Sequence, residues 1–89
     1  MSAEVVDVEA VRAVVVPRLA AALGVDPALV TDDLELATLG LSSLEVMELV
    51  YDAEDELDTV FVEEHLADAT TVGRLIAVMA ADLAAGAAS

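Results

Sequence analysis

Two adjacent serines, Ser42 and Ser43, stand in the run Leu39-Gly40-Leu41-Ser42-Ser43-Leu44-Glu45, and they are the residues whose type and setting first suggest chemistry. Hydrolytic use of either serine needs a base, and His65 is the single histidine. The flanking residues do not form G-x-S-x-G, and a lone histidine on a short acidic turn reads as a surface residue. Thiol chemistry is closed to the chain: with no cysteine there is no disulfide, thiolate metal site or cysteine nucleophile. Asp32-Asp33 and the acids downstream lack the loop pattern of a calcium-binding hand and read as solvated surface, so no metal site is assigned. On residue type alone, a serine at the head of a helix is ordinarily a cap.

Length and composition narrow the remaining choices. Eighty-nine residues make one domain, and 58% are hydrophobic, with Tyr51 and Phe61 the only aromatics. A core of Ala, Val and Leu suits packed helices. Eighteen acids face three arginines and no lysine, for a net charge of −15. Such a surface repels phosphate backbones, which excludes nucleic acid and all but excludes an anionic membrane. Basic protein surfaces are the partners this field would steer into contact. Mean hydropathy is +0.73, yet charged residues interrupt every apolar run short of the roughly 18 residues a spanning helix needs. No basic leader precedes the domain, so the expectation is a soluble, cytoplasmic monomer.

The elements that position the serines follow from spacing. Val8, Val11, Val15, Leu19 and Leu23 recur every three or four residues, predicting a helix from about Ala3 to Leu23, stopped by Gly24. Pro17 predicts a kink or a locally irregular turn inside it. Val25 to Leu41 reads as a long connection pinned by Val30, Leu34, Leu36 and Leu39. The second helix starts after Gly40, with Ser42 or Ser43 as its N-cap, and runs to about Leu57; Ser42 and Glu45 are spaced as a capping box. A short acidic turn at Glu63 to Leu66 precedes a last helix that starts at Thr70 or Thr71. That helix carries Val72, Leu75, Ile76, Met79 and Leu83 on one face, and 84–89 reads as a frayed tail. The fold class is therefore all-α: a small bundle of three main helices and one short one, with a core of about 8–83.

The second helix has two apolar faces. At about 100° per residue, Val46, Leu49, Val50, Ala53 and Leu57 share the core arc. Leu44, Met47 and Tyr51 fall on the opposite arc, beside Glu45, Glu48, Asp52 and Asp55. Either Met47 and Tyr51 pack against the long connection and leave Leu44 exposed, or the stripe docks a partner through apolar anchors with an acidic rim.

The serine run resembles the carrier-protein motif L-G-x-D-S-L, in which the serine bears a 4′-phosphopantetheine arm. The likeness extends to Leu19-Ala20-Ala21-Ala22-Leu23-Gly24-Val25, to the second helix from Leu44 through Leu57, and to Thr70-Thr71-Val72, covering about residues 8–83. On this likeness the chain is identified as a member of the acyl carrier protein family. The resemblance implies that Ser43 is the modified serine, that Leu44 and Met47 meet partner surfaces, and that Glu48 and Glu54 contact basic enzymes. Ser42, Glu45, Tyr51 and Asp55 complete the expected docking set. One difference stands out: Ser42 replaces the motif's aspartate, which puts recognition by a general transferase in question.

The function so implied is that of a discrete, non-catalytic acyl carrier. A phosphopantetheinyl transferase would modify it from coenzyme A, and acyl-loading and acyl-processing enzymes would then use it. Fatty-acid, polyketide and other secondary metabolism all use such carriers, and the Ser42 difference points toward a specialised pathway. Two alternatives stay open: an aminoacyl or peptidyl carrier of a nonribosomal pathway, and an unmodified acidic module whose Ser43 is a plain cap.

Overall fold

The computed structural model describes residues 3–85. Among these, four α-helices follow one another: α1 (Ala3–Leu23), α2 (Ser43–Leu57), α3 (Glu63–Ala67) and α4 (Val72–Ala84). The all-α reading with three main helices and one short one is what forms. Helix α1 packs on both α2 and α4, and α3 packs on α4. The core they enclose holds Val11, Val15 and Leu19 from α1, Val50 and Ala53 from α2, and Val72, Leu75, Ile76 and Met79 from α4. Phe61, between α2 and α3, is the aromatic in that core.

Each boundary has a local cause. Gly24 takes φ +70, and the Gly24 and Val25 amides fold back onto the Ala21 and Ala20 carbonyls, closing α1 in a Schellman turn. Asp58 ends α2 in the left-handed region at φ 51, a conformation short polar side chains tolerate best after glycine. Thr71 opens α4 by accepting from the Arg74 amide at 3.1 Å. At Pro17 no irregular turn forms, because α1 continues as α-helix through it. Its ring sits on the exposed side, while Val14, Val15, Leu19 and Ala20 around it are buried. Their packing offsets the about 3 kcal/mol that an interior proline costs a helix. Of the expected frayed tail, Ala84 closes α4 and Ala85 caps it, while residues 86–89 lie outside the described residues.

The long connection is built, not slack. Single 3₁₀ turns form at Pro27–Leu29 and Leu36–Thr38. Val30 is buried, and Leu34, Leu36, Leu39 and Leu41 pack on the core as partly buried side chains. The Leu36 amide donates to the Thr70 carbonyl and the Val72 amide to the Leu34 carbonyl, each at 2.9 Å. This bridge ties the connection to the head of α4. Arg12 adds a bidentate pair to Asp32 at 2.6 and 3.1 Å. That hydrogen bond holds the Asp32 carboxyl below the usual carboxylate range and raises the guanidinium of Arg12.

Candidate functional site at the head of α2

Gly40, at φ +74, turns the chain into α2, where Ser42 is the N-cap. The Glu45 amide donates to Ser42 Oγ, and the Ser42 amide donates to Glu45 Oε1, both at 3.1 Å. This reciprocal box is the one the sequence spacing predicts. It separates the two serines chemically. The Ser42 hydroxyl serves the helix, whereas Ser43, the first helical residue, is exposed and its hydroxyl forms no hydrogen bond among the described residues.

Ser43 also borders an open cavity of about 590 Å³. Leu36 and Leu41 of the long connection, Val46 and Val50 of α2, Leu66 of α3 and Leu75 of α4 supply its aliphatic walls. Glu63 and Glu64 of α3 also border it. The bridge between Leu34–Leu36 and Thr70–Val72 therefore does more than tidy a loop, because it holds one wall of this cavity in place.

The second stripe of α2 divides. Met47 is half-buried and lines the cavity together with Leu36 and Leu41, so it packs toward the connection. Leu44 and Tyr51 do not; they keep 68% and 54% of their surface exposed. Glu45, Glu48, Asp52 and Asp55 are exposed beside them. Two of the three arginines pair within the chain, Arg12 with Asp32 and Arg18 with Glu56, and Arg18 also borders a small cleft with Glu45, Glu48 and Asp52.

Glu54 stands apart from the expected docking set. It is half-buried, and its Oε2 accepts from the Phe61 amide at 2.8 Å. Asp82 was not singled out in the sequence, yet it is 7% exposed and bonded to the Val62 amide and to His65 Nδ1. Its position three residues beyond Met79, on the core stripe of α4, is the signal that could have marked it. His65 is exposed and engaged with Asp82 at 2.8 Å, and no hydrogen bond joins it to Ser43 among the described residues. A nucleophile–base pair is thus not assembled. No group of three or more potential metal ligands gathers among the described residues.

The profile described as the phosphopantetheine attachment site matches residues 13–79. The chain belongs to this family of phosphopantetheine-binding carrier proteins. Members carry 4′-phosphopantetheine covalently, and they work with phosphopantetheinyl transferases and biosynthetic enzymes. No curated protein and no solved structure matches the chain. The head of α2 fits the carrier's group on three counts. A free hydroxyl is exposed at Ser43. Of the first-turn amides of α2, that of Glu45 is taken by Ser42 Oγ, which leaves those of Ser43 and Leu44 without a helical partner at the positive end of the helix dipole, a setting that favours an anion. An aliphatic cavity opens alongside. As a carrier this chain also has no helix, among the described residues, long and apolar enough to cross a membrane.

Proposed function

We propose that Ser43 bears the phosphopantetheine arm and that the protein presents acyl groups to successive enzymes without itself catalysing a reaction. The observation that carries this reading is the free, exposed Ser43 hydroxyl at the edge of a cavity walled by leucine and valine. In the modification, Ser43 Oγ forms a bond to the β-phosphorus of coenzyme A. The phosphoanhydride bond breaks, adenosine 3′,5′-bisphosphate leaves, and the serine proton passes to a base on the transferase. The bound arm supplies the thiol that this cysteine-free chain lacks, and holds acyl groups as thioesters.

The chain's own residues then serve presentation. Leu44 and Tyr51 offer small apolar anchors, and Glu45, Glu48, Asp52 and Asp55 form the acidic rim. So few anchors favour fast and weak docking, steered by charge and screened by salt. The aliphatic walls support acyl cargo, which the cavity would shelter from water. Placement in polyketide or other secondary metabolism rests on Ser42 standing where the motif has aspartate.

One observation favours the second reading, an aminoacyl or peptidyl carrier: Glu63 and Glu64 at the cavity could receive a cargo ammonium. The experiment is mass spectrometry after incubation with coenzyme A and a broad-specificity transferase. Wild type is expected to gain one phosphopantetheine and Ser43→Ala none; an unmodified wild type ends the proposal. Loading with acyl and aminoacyl donors in parallel then separates the two cargo classes.

A further inference from the structure

Arg18 of α1 stands against a ladder of carboxylates on α2. At about 100° per residue, Glu45, Glu48, Asp52 and Glu56 share an arc of about 80° and recur about once per turn. Glu56, the furthest of the four from Ser43 along the helix, holds the Arg18 guanidinium through Nη2. The other three line a cleft of about 150 Å³ between α1 and α2, which Arg18 and Ala22 border from α1.

Two observations make Glu56 a loose seat for that guanidinium. The pair is open to solvent, with 32% of the Arg18 side chain and 51% of that of Glu56 exposed, and ion pairs in such settings hold weakly. In addition, Arg18 Nε is buried without a hydrogen-bond partner. A buried donor left unpaired is costly, and the cleft offers it acceptors at Asp52, one turn from Glu56, and at Glu48 beyond. Carboxylates spaced by three and four residues also repel one another, so a cation among them is favoured.

We propose that Arg18 is the chain's own competitor for the acidic rim of α2, and that Glu56 holds it back from the end nearest Ser43. Moved into the cleft, the guanidinium takes the seat of an arginine or lysine from a basic partner surface; held on Glu56, it leaves that seat open. The bearing on enzymes rests on the proposed function, whereas the competition is a property of the chain alone. The occupant is a cationic side chain because three carboxylates line the cleft, with only Ala22 and Leu49 beside them and Arg18. Arg12 is engaged with Asp32, and the exposed Arg74 of α4 forms no ion pair among the described residues, so Arg18 is the arginine that borders this cleft.

Binding of a hexa-arginine peptide to the unmodified full-length protein tests this, followed by NMR at the amides of residues 44–56 in about 20 mM salt. Arg18→Met keeps an apolar stem and removes the cation, and it should bind about threefold more tightly than wild type. Arg74→Met makes the same change in net charge away from α2 and should change Kd by less than about 1.5-fold. Glu56→Gln releases Arg18 into the cleft, so it should weaken binding about threefold, and by less than about 1.5-fold in the Arg18→Met background. These differences should fade by about 0.5 M salt. Equal gains from Arg18→Met and Arg74→Met, or an equal cost of Glu56→Gln in both backgrounds, would make Arg18 one charge among others and overturn the proposal. Glu56 is exposed, so Glu56→Gln keeps the test open even where a change at Arg18 disturbs the packing of α1 on α2, and unchanged binding in that variant overturns the holding role. Because the protein is unmodified, these results stand apart from whether Ser43 accepts the arm. With a broad-specificity transferase, KM for the protein should shift by the same factors at unchanged kcat; a KM that stays level while the peptide responds would refute the bearing on enzymes.

Discussion

Gly73 of α4 lies so close to Asp32 that a β-carbon added at 73 would stand 2.8 Å from the Asp32 β-carbon and 3.1 Å from its carbonyl oxygen. The Gly73 amide donates to that same carbonyl at 2.9 Å, and the Asp32 side chain holds Arg12 of α1. One contact thus joins α1, the long connection and α4, and it lies beside the bridge that holds the cavity wall.

Gly73→Ala is the direct test of that approach. In an open helix position the change would gain about 1 kcal/mol of helix propensity. Here it meets a β-carbon and backbone, which cannot step aside as a flexible side-chain tip can. Overpacking of this kind costs about 1–3 kcal/mol, so a net loss of stability is expected. A thermal melt equal to or above that of wild type would refute the close approach.

Ser42 caps α2, and its replacement separates capping from recognition. Ser42→Ala is expected to lose about 1 kcal/mol of stability by thermal or urea unfolding. Ser42→Asp keeps a good N-cap and adds a charge that favours the helix N-terminus, so its melting temperature should match or exceed wild type. It also restores the carboxylate of the carrier motif, and its rate of modification by a general transferase should rise. An unchanged rate would show that the Ser42 difference does not govern recognition.

Leu44 and Glu48 are exposed and should act on association without acting on the fold. Leu44→Ala and Glu48→Lys are each expected to leave the melting temperature within about 2 °C, as surface changes do. Both should lower kcat/KM for the transferase. The Glu48→Lys loss should shrink as salt rises from low values to about 0.5 M, while the Leu44→Ala loss persists. A loss for Glu48→Lys that ignores salt would argue against charge-steered docking.

The Arg12–Asp32 pair predicts a modest acid sensitivity. Asp32 has its carboxyl lowered by the Arg12 hydrogen bond, so the pair contributes stability above the unfolded-state value of about 4. That contribution is lost as pH falls through the lower folded-state value. Both side chains are largely exposed, so solvent keeps the effect small. The difference in melting temperature between wild type and Arg12→Gln should be constant near neutrality and narrow below about pH 4. A gap that widens in acid would contradict the sign.

Short-range chemistry made much of this protein legible. The helix spans, the Gly24 stop, the Ser42–Glu45 box and the Thr71 cap all depend on residues within one or two turns of each other. At Pro17 the helix continues because packing from α2 and α4 on neighbouring residues outweighs the local cost. The stripe of α2 was visible as an angle, but the angle could not say that Met47 would meet the connection while Tyr51 would not.

The carboxylates draw the line most clearly. From the sequence come the acid excess, the missing thiol, the serine at the head of α2 and the order of the helices, since each is a matter of composition or of neighbours along the chain. Which acids face solvent and which hold the chain together was decided only by the tertiary structure. Glu54 resembles Glu48 until the chain leaving α2 folds back onto it at Phe61, and Asp82 resembles Asp55 until the distant Val62 packs beside it. A buried carboxylate must find donors, and the amides of Phe61 and Val62 reach Glu54 and Asp82 only once α2 and α4 close around the segment that carries them.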